Sequence, residues 1–319
     1  MTSSTAFFLL SFFSIFLSLS YANLIGNYPV CSPNPPSTPI PVYPRDVDQM
    51  QFALNLEFTE CEWFLHGSLG IGLDQIEPEL ARGGPPPIGA MRANLDSQTR
   101  RIMEEFGYQE VGHVRAIEST VGGIPRPLID LSAENFARMM DEAFGYHLNP
   151  PFNPYTNSLN FLLASYMLPY LGINGYTGTN PGIDGYATRR LLAGLLGVEA
   201  GQDAVIRTIL YQRKEEHVPP YWNTTVADFT IKISALRNRL GMCGIKDEGL
   251  IVPRELGAEK RTTSNILSAD ADSLSYTRTP RELLRILYLT GDEHLPGGFL
   301  PKGGNGRIAR MYLNSPVNP

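Results

Sequence analysis

The stretch Phe106-Gly-Tyr-Gln-Glu110-Val-Gly-His113-Val-Arg-Ala-Ile-Glu118 lies in the middle of a long helical pattern and places a glutamate three residues before a histidine. Residues three apart in a helix lie about one turn apart on the same face, so Glu110 and His113 can bind a common metal ion. Their neighbours, such as Val111 and Val114, are apolar. An unpaired charge in apolar surroundings is costly. The pattern therefore predicts that Glu110 and His113 face inward, where a metal ion or a hydrogen-bonding partner satisfies them.

One long helical pattern precedes this stretch, and a second contains it. The first begins near Asp46, which we expect to cap it, and carries Glu57 and Glu60 on a broad apolar face. The second begins at Asp96 or Ser97, contains Glu110 and His113, and ends at Gly122-Gly123. Glu57 is the expected ligand of the first helix, with Glu60, one turn away, in reserve.

Two further long helices follow in the sequence. The third, from Ser158 to Leu171, is apolar almost all round and is predicted to be buried. The fourth, from about Asp184 to Glu216, carries Glu199 with Gln202 one turn away, and Asp203 is the alternative neighbour at four residues.

The fourth helix also contains three glycines: Gly194, Gly197 and Gly201. Each costs about 1 kcal/mol relative to alanine in a helix interior. Their presence predicts that a neighbouring helix approaches closely at this level.

Shorter helices are predicted from Ser132 to about Ala143, from Thr225 to Leu240, and from a Thr279-Pro280 capping box to Gly291. The connecting segments are irregular, and no alternating strand pattern of any length occurs. The fold class is therefore all-α, a four-helix bundle with additional helices and a long irregular C-terminal region.

The amino-terminal residues predict export. Residues 1–22 contain no charged side chain, are strongly apolar and end in Ser20-Tyr21-Ala22, as expected of a secretory signal peptide. A proline-rich segment, 23–44, follows it, then the helical bundle over 45–217 and the C-terminal helices and extension over 218–319. We expect a secreted, extracellular protein of the cell wall, apoplast or another secreted fluid.

Net charge and hydropathy argue against nucleic acid and membrane as partners. A net charge of −6 without a basic cluster argues against nucleic acid, and no later segment has the roughly 18 apolar residues that span a membrane.

The three cysteines allow one disulfide, for which we favour Cys31 with Cys243, while Cys61 is expected to be buried. Asn223 begins an Asn-Thr-Thr sequon and is a predicted glycosylation site.

The spacing of the polar helix residues matches a carboxylate-bridged two-metal bundle. The expected ligands are Glu57, Glu110, His113, Glu199 and Gln202. The set departs from the full pattern twice, because the third helix has no acidic residue and Gln202 stands where a histidine is expected. Carboxylates with one imidazole favour manganese or iron.

Several motifs form a set along the chain: Leu56-Glu57-Phe-Thr-Glu60, Glu110-x-x-His113, Gly197-Val-Glu199-x-Gly-Gln202, Leu236-Arg-Asn-Arg-Leu-Gly241, Lys246-Asp-Glu-Gly249 and Pro296-Gly-Gly-Phe-Leu-Pro-Lys-Gly303. Over about residues 46–313 the chain resembles the plant desiccation-related proteins of the ferritin-like superfamily. The resemblance implies a four-helix ferritin-like core, export, and association with drought or other stress. Other members of the superfamily are dimanganese catalases and ferritins, so a redox role is implied as far as the retained ligands allow.

Three functions follow as hypotheses. The first, which we favour, is a catalase-like enzyme that disproportionates hydrogen peroxide at a manganese or iron site. The second is a non-catalytic, desiccation-protective or structural protein whose buried polar residues form a hydrogen-bonded network. Iron storage is a third and weaker hypothesis, because it requires a closed cage, whereas we expect a monomer or homodimer.

The remaining histidines and large aromatic residues are poor ligand candidates. His66, His147, His217 and His294 lie at helix ends, in turns or in loops, where histidines are usually surface residues or local caps. Tyr108, Tyr166 and Tyr170 could approach a metal centre, but buried tyrosines in helices are usually core residues.

Overall fold

The computed structural model describes residues 41–314. The predicted signal peptide, Cys31 and nearly all of the proline-rich segment lie outside these residues. The α-helices are α1 (Pro44–Leu69), α2 (Leu73–Ile76), α3 (Ser97–Val121), α4 (Ala133–Phe144), α5 (Ser158–Ser165), α6 (Pro169–Thr179), α7 (Tyr186–Gln212), α8 (Val226–Gly241), α9 (Pro280–Leu287) and α10 (Arg307–Asn314). The all-α prediction is confirmed, with one small exception: β1 (His217–Val218) and β2 (Tyr221–Thr225) form an antiparallel hairpin.

The four-helix bundle consists of α1, α3, α6 and α7, with α5 leading into α6. The most extensive contact joins α1 to α3, and α6 packs on both α1 and α7. Trp63 of α1 stacks on Phe161 of α5, with ring centroids 4.2 Å apart, and its indole N–H donates to Ser165 Oγ at 2.9 Å. Buried side chains from these helices form one continuous core.

The predicted third helix is broken into α5 and α6. Pro169 has no N–H to continue the hydrogen-bond ladder and occupies the first turn of α6. The break frees backbone carbonyls, and the buried Arg237 of α8 donates to two of them, Tyr166 O at 2.7 Å and Met167 O at 3.1 Å. The helix that begins at Pro169, α6, runs to Thr179. It therefore ends eight residues beyond Leu171, where the sequence predicted the end of the third helix.

The prediction from Gly194, Gly197 and Gly201 is wrong. All three lie on the exposed face of α7, and no atom of the described residues outside α7 lies within 4 Å of a Cβ built on them. The close approach occurs instead at Gly107 of α3, where a Cβ would lie 3.0 Å from the backbone N of Leu65 on α1.

Helix ends agree only in part with the predictions. Asp96 caps α3 as expected, accepting from the N–H groups of Gln98 and Thr99. The Thr279 capping box is also present, although α9 ends at Leu287 and not at Gly291. Asp46 does not cap α1, because the helix begins two residues earlier, at Pro44.

The carboxylate of Asp46 has a different role, which is to join α1 to the start of α7. It accepts a hydrogen bond from Gly185 N at 2.7 Å and another from Thr188 Oγ1 at 2.5 Å.

Buried arginines hold the irregular segment between α8 and α9. Arg207 of α7 donates to the carbonyl oxygens of Asn265 and Ile266, each at 2.6 Å. Arg237 of α8 forms a fully buried ion pair with Asp247. Buried charged side chains that bond to backbone carbonyls and to an opposite charge can hold a segment in place that has no regular secondary structure.

The described helices include none that is long and apolar enough to cross a membrane. Cys61 is buried, as predicted, and Cys243 is exposed; both are free thiols within the described residues. The proposed Cys31–Cys243 disulfide involves a residue outside them and stays a prediction. Asn223 is exposed on β2, where a sequon is accessible.

Candidate metal centre

Four of the predicted ligands meet in the centre of the bundle. Glu57 comes from α1, Glu110 and His113 from α3, and Glu199 from α7, and one ligand atom from each lies within 4.8 Å of the others. His113 Nδ1 lies 3.1 Å from Glu57 Oε2, 3.1 Å from Glu110 Oε2 and 3.9 Å from Glu199 Oε1. All three carboxylates are at most 1% exposed. Three helices thus bring three carboxylates and one imidazole to one buried point.

Gln202, the fifth predicted ligand, takes part in the cluster through its amide N–H groups. Gln202 Nε2 donates to Glu110 Oε1 at 2.6 Å and to Gln109 Oε1 at 3.2 Å. These two acceptors fix the orientation of the amide. Gln202 therefore orients Glu110, and its own Oε1 has no donor among the described residues.

Two residues of α6 that were not predicted from the sequence complete the wall of the centre. The hydroxyl of Tyr176 donates to Glu57 Oε1. Gly172, one turn earlier, lies against Glu199, and a Cβ at this position would be only 2.8 Å from Glu199 Oε2. The predicted helix ended at Leu171, so both residues fell in an assumed loop. The signal that could have located them was the four-residue spacing of Gly172 and Tyr176 after a proline at a helix start.

Glu60, the reserve ligand, faces Glu199. Each carboxylate is buried and contacts the other, and no N–H or O–H donor of the described residues reaches any of their four oxygens. Two carboxylates in contact need a shared proton or a cation between them.

Burial and mutual proximity shift the pKa values of the cluster. Burial raises the pKa of Glu110 to about 7, against the opposing charge of His113. Burial would lower the pKa of His113, but Glu110 and Glu57 raise it to about 11. Burial and the neighbouring carboxylates raise the pKa values of Glu60 and Glu199 well above the usual range. Burial opposes ionisation of Glu57 too, yet His113 and the hydrogen bonds to Glu57 hold its pKa below the usual value.

The other candidate residues lie away from the centre. His66 contacts Glu62 at 3.3 Å, His147 contacts Asp141 at 2.7 Å, and His217 is exposed. His294 belongs to a second His/carboxylate group with Asp292 and Glu293, but Glu293 is already paired with two arginines.

The three tyrosines considered from the sequence do not reach the centre. Tyr108 is 47% exposed, whereas the rings of Tyr166 and Tyr170 are covered by the guanidinium groups of Arg207 and Arg237. Asp203, the alternative to Gln202, lies 3.9 Å from Arg207.

A narrow pocket reaches the wall of the centre from the α1–α6 side. Its empty volume, including the open mouth, is about 330 Å³. Gly172 and Tyr176, the two residues that touch Glu199 and Glu57, form part of its lining, and the rest is mostly apolar, including Ala53 and Leu56. The pocket therefore ends at the two α6 residues that contact the ligands.

The donor set fits manganese or iron. Carboxylate oxygens and one imidazole nitrogen are hard to borderline ligands, and these metals prefer them over the thiolates that select softer ions. Several buried acceptor oxygens, mainly those of Glu60 and Glu199, have no hydrogen-bond donor among the described residues. A bound cation would satisfy these oxygens, whereas a hydrogen-bond network among the described residues leaves them without a partner.

Comparisons with known proteins agree with this architecture. The chain is 62% identical to Ferritin-like catalase Nec2 of Nesocodon mauritianus over 285 residues, which are 89% of this chain and 91% of that protein. It is 52% identical to Desiccation-related protein PCC13-62 of Craterostigma plantagineum over 262 residues, 82% of this chain and 83% of that one. No solved structure gives a significant match. The profile of the ferritin-like domain matches residues 45–212, which contain the whole candidate centre, and the chain therefore belongs to the ferritin-like domain family.

Proposed function

We propose that this protein binds manganese or iron at Glu57, Glu110, His113 and Glu199 and disproportionates hydrogen peroxide into water and dioxygen. The observation that carries the proposal is the buried convergence of these four side chains within 4.8 Å. The name of the Nesocodon relative, a ferritin-like catalase, supports it. A manganese or iron centre supplies the change of oxidation state by which one peroxide is oxidised to dioxygen and another is reduced to water.

The protein's own groups orient the carboxylates and control access. Tyr176 holds Glu57 and Gln202 holds Glu110 by hydrogen bonds, so two of the four proposed ligands are oriented by residues that are not among those four. Partners of this kind tune both metal affinity and reactivity. The narrow, mostly apolar pocket beside Tyr176 admits hydrogen peroxide and excludes bulky reductants, which would otherwise consume an oxidised centre.

The proposal includes an extracellular location. It rests on the apolar, uncharged residues 1–22 with their Ser20-Tyr21-Ala22 ending, and the exposed sequon at Asn223 is compatible with it. Expression in a eukaryotic secretory host should yield a protein in the medium that begins near Asn23. Mass spectrometry before and after glycosidase treatment would test both the cleavage site and Asn223.

A non-catalytic, desiccation-protective role is the second candidate, and one observation favours it. Glu57, Glu110 and His113 already satisfy part of their hydrogen-bonding capacity with one another, with Tyr176 and with Gln202. A satisfied polar network of this kind can specify a packed core without a metal. In that case the function would lie on the protein surface, in contacts with cell wall or protein during drying.

The deciding experiment is elemental analysis and oxygen evolution on the purified, secreted protein, beside a Glu110→Ala/His113→Ala variant. The proposal predicts bound manganese or iron and dioxygen release from peroxide, both lost in the variant. Glu134→Gln, an exposed change on α4, is the matched control and should leave both unchanged. Substoichiometric metal and no dioxygen from the wild-type protein would refute the enzyme. Protection of dried enzymes that survives the double substitution would then support the second candidate.

Size-exclusion chromatography of the same samples tests assembly. We propose a monomer or homodimer acting on a small molecule, with no nucleic acid or membrane partner. A mass many times that of the 35.3 kDa chain would instead favour a storage cage.

A further inference from the structure

The irregular segment between α8 and α9 encloses two adjoining pockets that the metal centre does not use. Their empty volumes, including the open mouths, are about 710 Å³ for the first and about 810 Å³ for the second. Both are lined by Leu256, Ala269 and Asp270, and we call the two together the loop cavity. All of its lining residues lie between positions 248 and 276, outside the four helices of the bundle. The loop cavity is therefore separate from the candidate metal centre.

The wall of the second pocket is held in place by the bundle. Arg207 of α7 donates to the carbonyl oxygens of Asn265 and Ile266, and both of these residues line that pocket. The backbone N–H of Asn265 also donates to Leu250 O at 2.9 Å. A wall that is fixed before a ligand arrives loses little conformational freedom on binding. The second pocket is thus preformed, as small-molecule sites usually are.

A buried amide in this wall has an oxygen without a hydrogen-bond donor. Asn265 is 7% exposed. Its Nδ2 donates to Gly249 O at 2.9 Å and to Glu248 O at 3.4 Å, which uses both of its hydrogens and fixes the orientation of the amide. These two bonds leave Oδ1 of Asn265 without a donor among the described residues. Because Asn265 lines the second pocket, an N–H group of a ligand there would satisfy this oxygen.

The first pocket is acidic. Four of its lining residues carry carboxylates and one is cationic: Glu248, Glu255, Glu259, Asp270 and Lys260. Glu248 Oε2 is buried without a donor among the described residues, while Oε1 accepts from the hydroxyl of Tyr276 at 3.4 Å. Burial raises the pKa of Glu248, because its ionised form lacks full compensation. A cation beside Glu248 would supply that compensation.

The spacing of these carboxylates fits an extended cation and not a single metal ion. Among the residues that the structure describes, three or more carboxylate or histidine ligands come within 4.8 Å of one another only in the bundle core and at 292–294. No three carboxylates of the loop cavity meet in this way. Leu256 and Ala269, which line both pockets, add apolar surface on which a hydrocarbon chain can pack. The ligand therefore combines separated positive charges with methylene groups.

We propose that the loop cavity binds a linear aliphatic polyamine. One ammonium group lies at Glu248, and an amine further along the chain donates to Oδ1 of Asn265. The methylene groups between them pack on Leu256 and Ala269. An ammonium group is a cation with several N–H donors, so it can satisfy a carboxylate and an amide oxygen alike. The inference goes beyond the proposed function and uses none of the proposed metal ligands.

The test is calorimetric titration of the full secreted chain with spermidine, a linear triamine. We expect saturable binding of one molecule per chain. Glu248→Gln keeps the shape of the side chain and removes its charge, so the affinity should fall about 10-fold or more. Glu134→Gln removes the same charge from an exposed position on α4 and should bind spermidine as the wild type does. Magnesium, titrated in the same way, should bind far more weakly than spermidine.

The outcomes separate a polyamine site from a general attraction of cations. No binding by the wild type, or equal affinity in wild type and Glu248→Gln, overturns the proposal. Magnesium binding that matches spermidine and is lost in Glu248→Gln also overturns it, because the cavity would then attract any cation. Circular dichroism checks folding, and Glu255→Gln, at an exposed position of the first pocket, replaces Glu248→Gln if that variant does not fold.

The same variant keeps this proposal independent of the proposed function. Metal content and dioxygen release from peroxide should be unchanged in Glu248→Gln, since Glu248 is not among the residues of the centre. Spermidine binding that is weakened in Glu248→Gln, in a protein that releases no dioxygen, would support the polyamine site and reject the catalase. Dioxygen release without spermidine binding would do the reverse.

Discussion

The hydroxyl of Tyr176 on α6 donates a hydrogen bond to Oε1 of Glu57 on α1. This contact is how the third helix of the bundle takes part in the centre, since α6 contributes no carboxylate. The phenol lies in the buried core, 4% exposed, with burial raising its pKa well above the usual value and the carboxylates of the cluster adding to that rise. It is therefore a neutral donor that positions Glu57.

Removing that donor should weaken the centre without unfolding the bundle. In Tyr176→Phe, Glu57 loses its partner, and either metal affinity or peroxide turnover should fall about 10–100-fold, as is typical when a partner of a metal ligand is removed. Manganese titration and oxygen-electrode assays would measure the two effects separately.

The control for this change is Tyr108→Phe, which removes a hydroxyl from a tyrosine that is 47% exposed on the ligand helix α3. It should leave both quantities unchanged. If Tyr176→Phe matched wild type in affinity and turnover, the positioning role would be rejected.

Filling the pocket should slow turnover and leave metal binding intact. Ala53 lines the pocket on α1 and is half-buried, so Ala53→Phe places a ring in the approach to Gly172 and Tyr176. We expect kcat/KM for hydrogen peroxide to fall while manganese per chain stays constant. Ala53→Ser, which keeps the pocket open, is the matched variant. Equal kcat/KM in all three proteins would mean that peroxide reaches the centre by another route.

Most of the bundle could be predicted from the sequence, because its helices carry long apolar faces with local start and stop signals. Asp96 and Thr279 cap helices where expected. The failures have physical causes in tertiary structure. The break between α5 and α6 is stabilised by Arg237, a residue 68 positions beyond Pro169, whose side chain satisfies the carbonyls that the break leaves free. No local pattern reveals such a partner.

The candidate site was predictable where it depends on helix periodicity alone. Glu110 and His113 lie three residues apart on one face of α3, Glu57 lies on the apolar face of α1, and the two-metal bundle pattern added Glu199, with which they are buried. Glu60 was left in reserve, because the sequence does not show which neighbouring helix its carboxylate would meet. Tyr176 was missed because glycines at 172, 175 and 178 resemble a loop, while packing against α1 and α7 keeps the segment helical.

The exposed glycines of α7 offer a direct test of how this helix packs. Because no atom of the described residues outside α7 lies within 4 Å of a Cβ at Gly194, Gly197 or Gly201, alanine fits at each position. Each Gly→Ala substitution should raise the free energy of unfolding by up to about 1 kcal/mol, through reduced entropy of the unfolded chain. Urea denaturation of the triple variant would measure the sum. A loss of stability would show that this face of α7 is covered in solution.

The buried Arg237–Asp247 pair should be a major determinant of stability. In Arg237→Met, Asp247 keeps a buried charge without its partner and the carbonyls of Tyr166 and Met167 lose their donor, so we expect a loss of about 3–5 kcal/mol. Arg239→Met, two residues away on α8, breaks an exposed ion pair with Glu142 and a hydrogen bond to the carbonyl oxygen of the same residue, and it should cost at most about 1 kcal/mol. Equal losses in the two variants, measured by urea denaturation, would contradict the structure.

The pH dependence of stability should reverse when metal is bound. Folding raises the pKa of Glu110 from its ordinary value of 4.5 to about 7, and it raises those of Glu60 and Glu199 in the same direction. In chelator-treated protein the folded state therefore binds more protons than the unfolded state. The resulting stabilisation is complete below the unfolded pKa and is lost as the pH rises through the folded values. His113 adds a loss of the same sign above its ordinary value of 6.5.

We therefore expect the Tm of the chelator-treated protein to fall between about pH 5 and about pH 8, with Glu110 alone accounting for a loss on the order of 3 kcal/mol. The lowered pKa of Glu57 works in the opposite direction, but Glu57 titrates below its ordinary value of 4.5 in the folded state, and its effect therefore lies outside this pH range. Manganese must displace protons from these same carboxylates, so its affinity and the stabilisation it gives should increase with pH. Differential scanning calorimetry with and without manganese would measure both slopes. In Glu110→Gln the slope of the chelator-treated protein should become shallower, because the substituted amide no longer titrates; an unchanged slope would remove Glu110 as its origin.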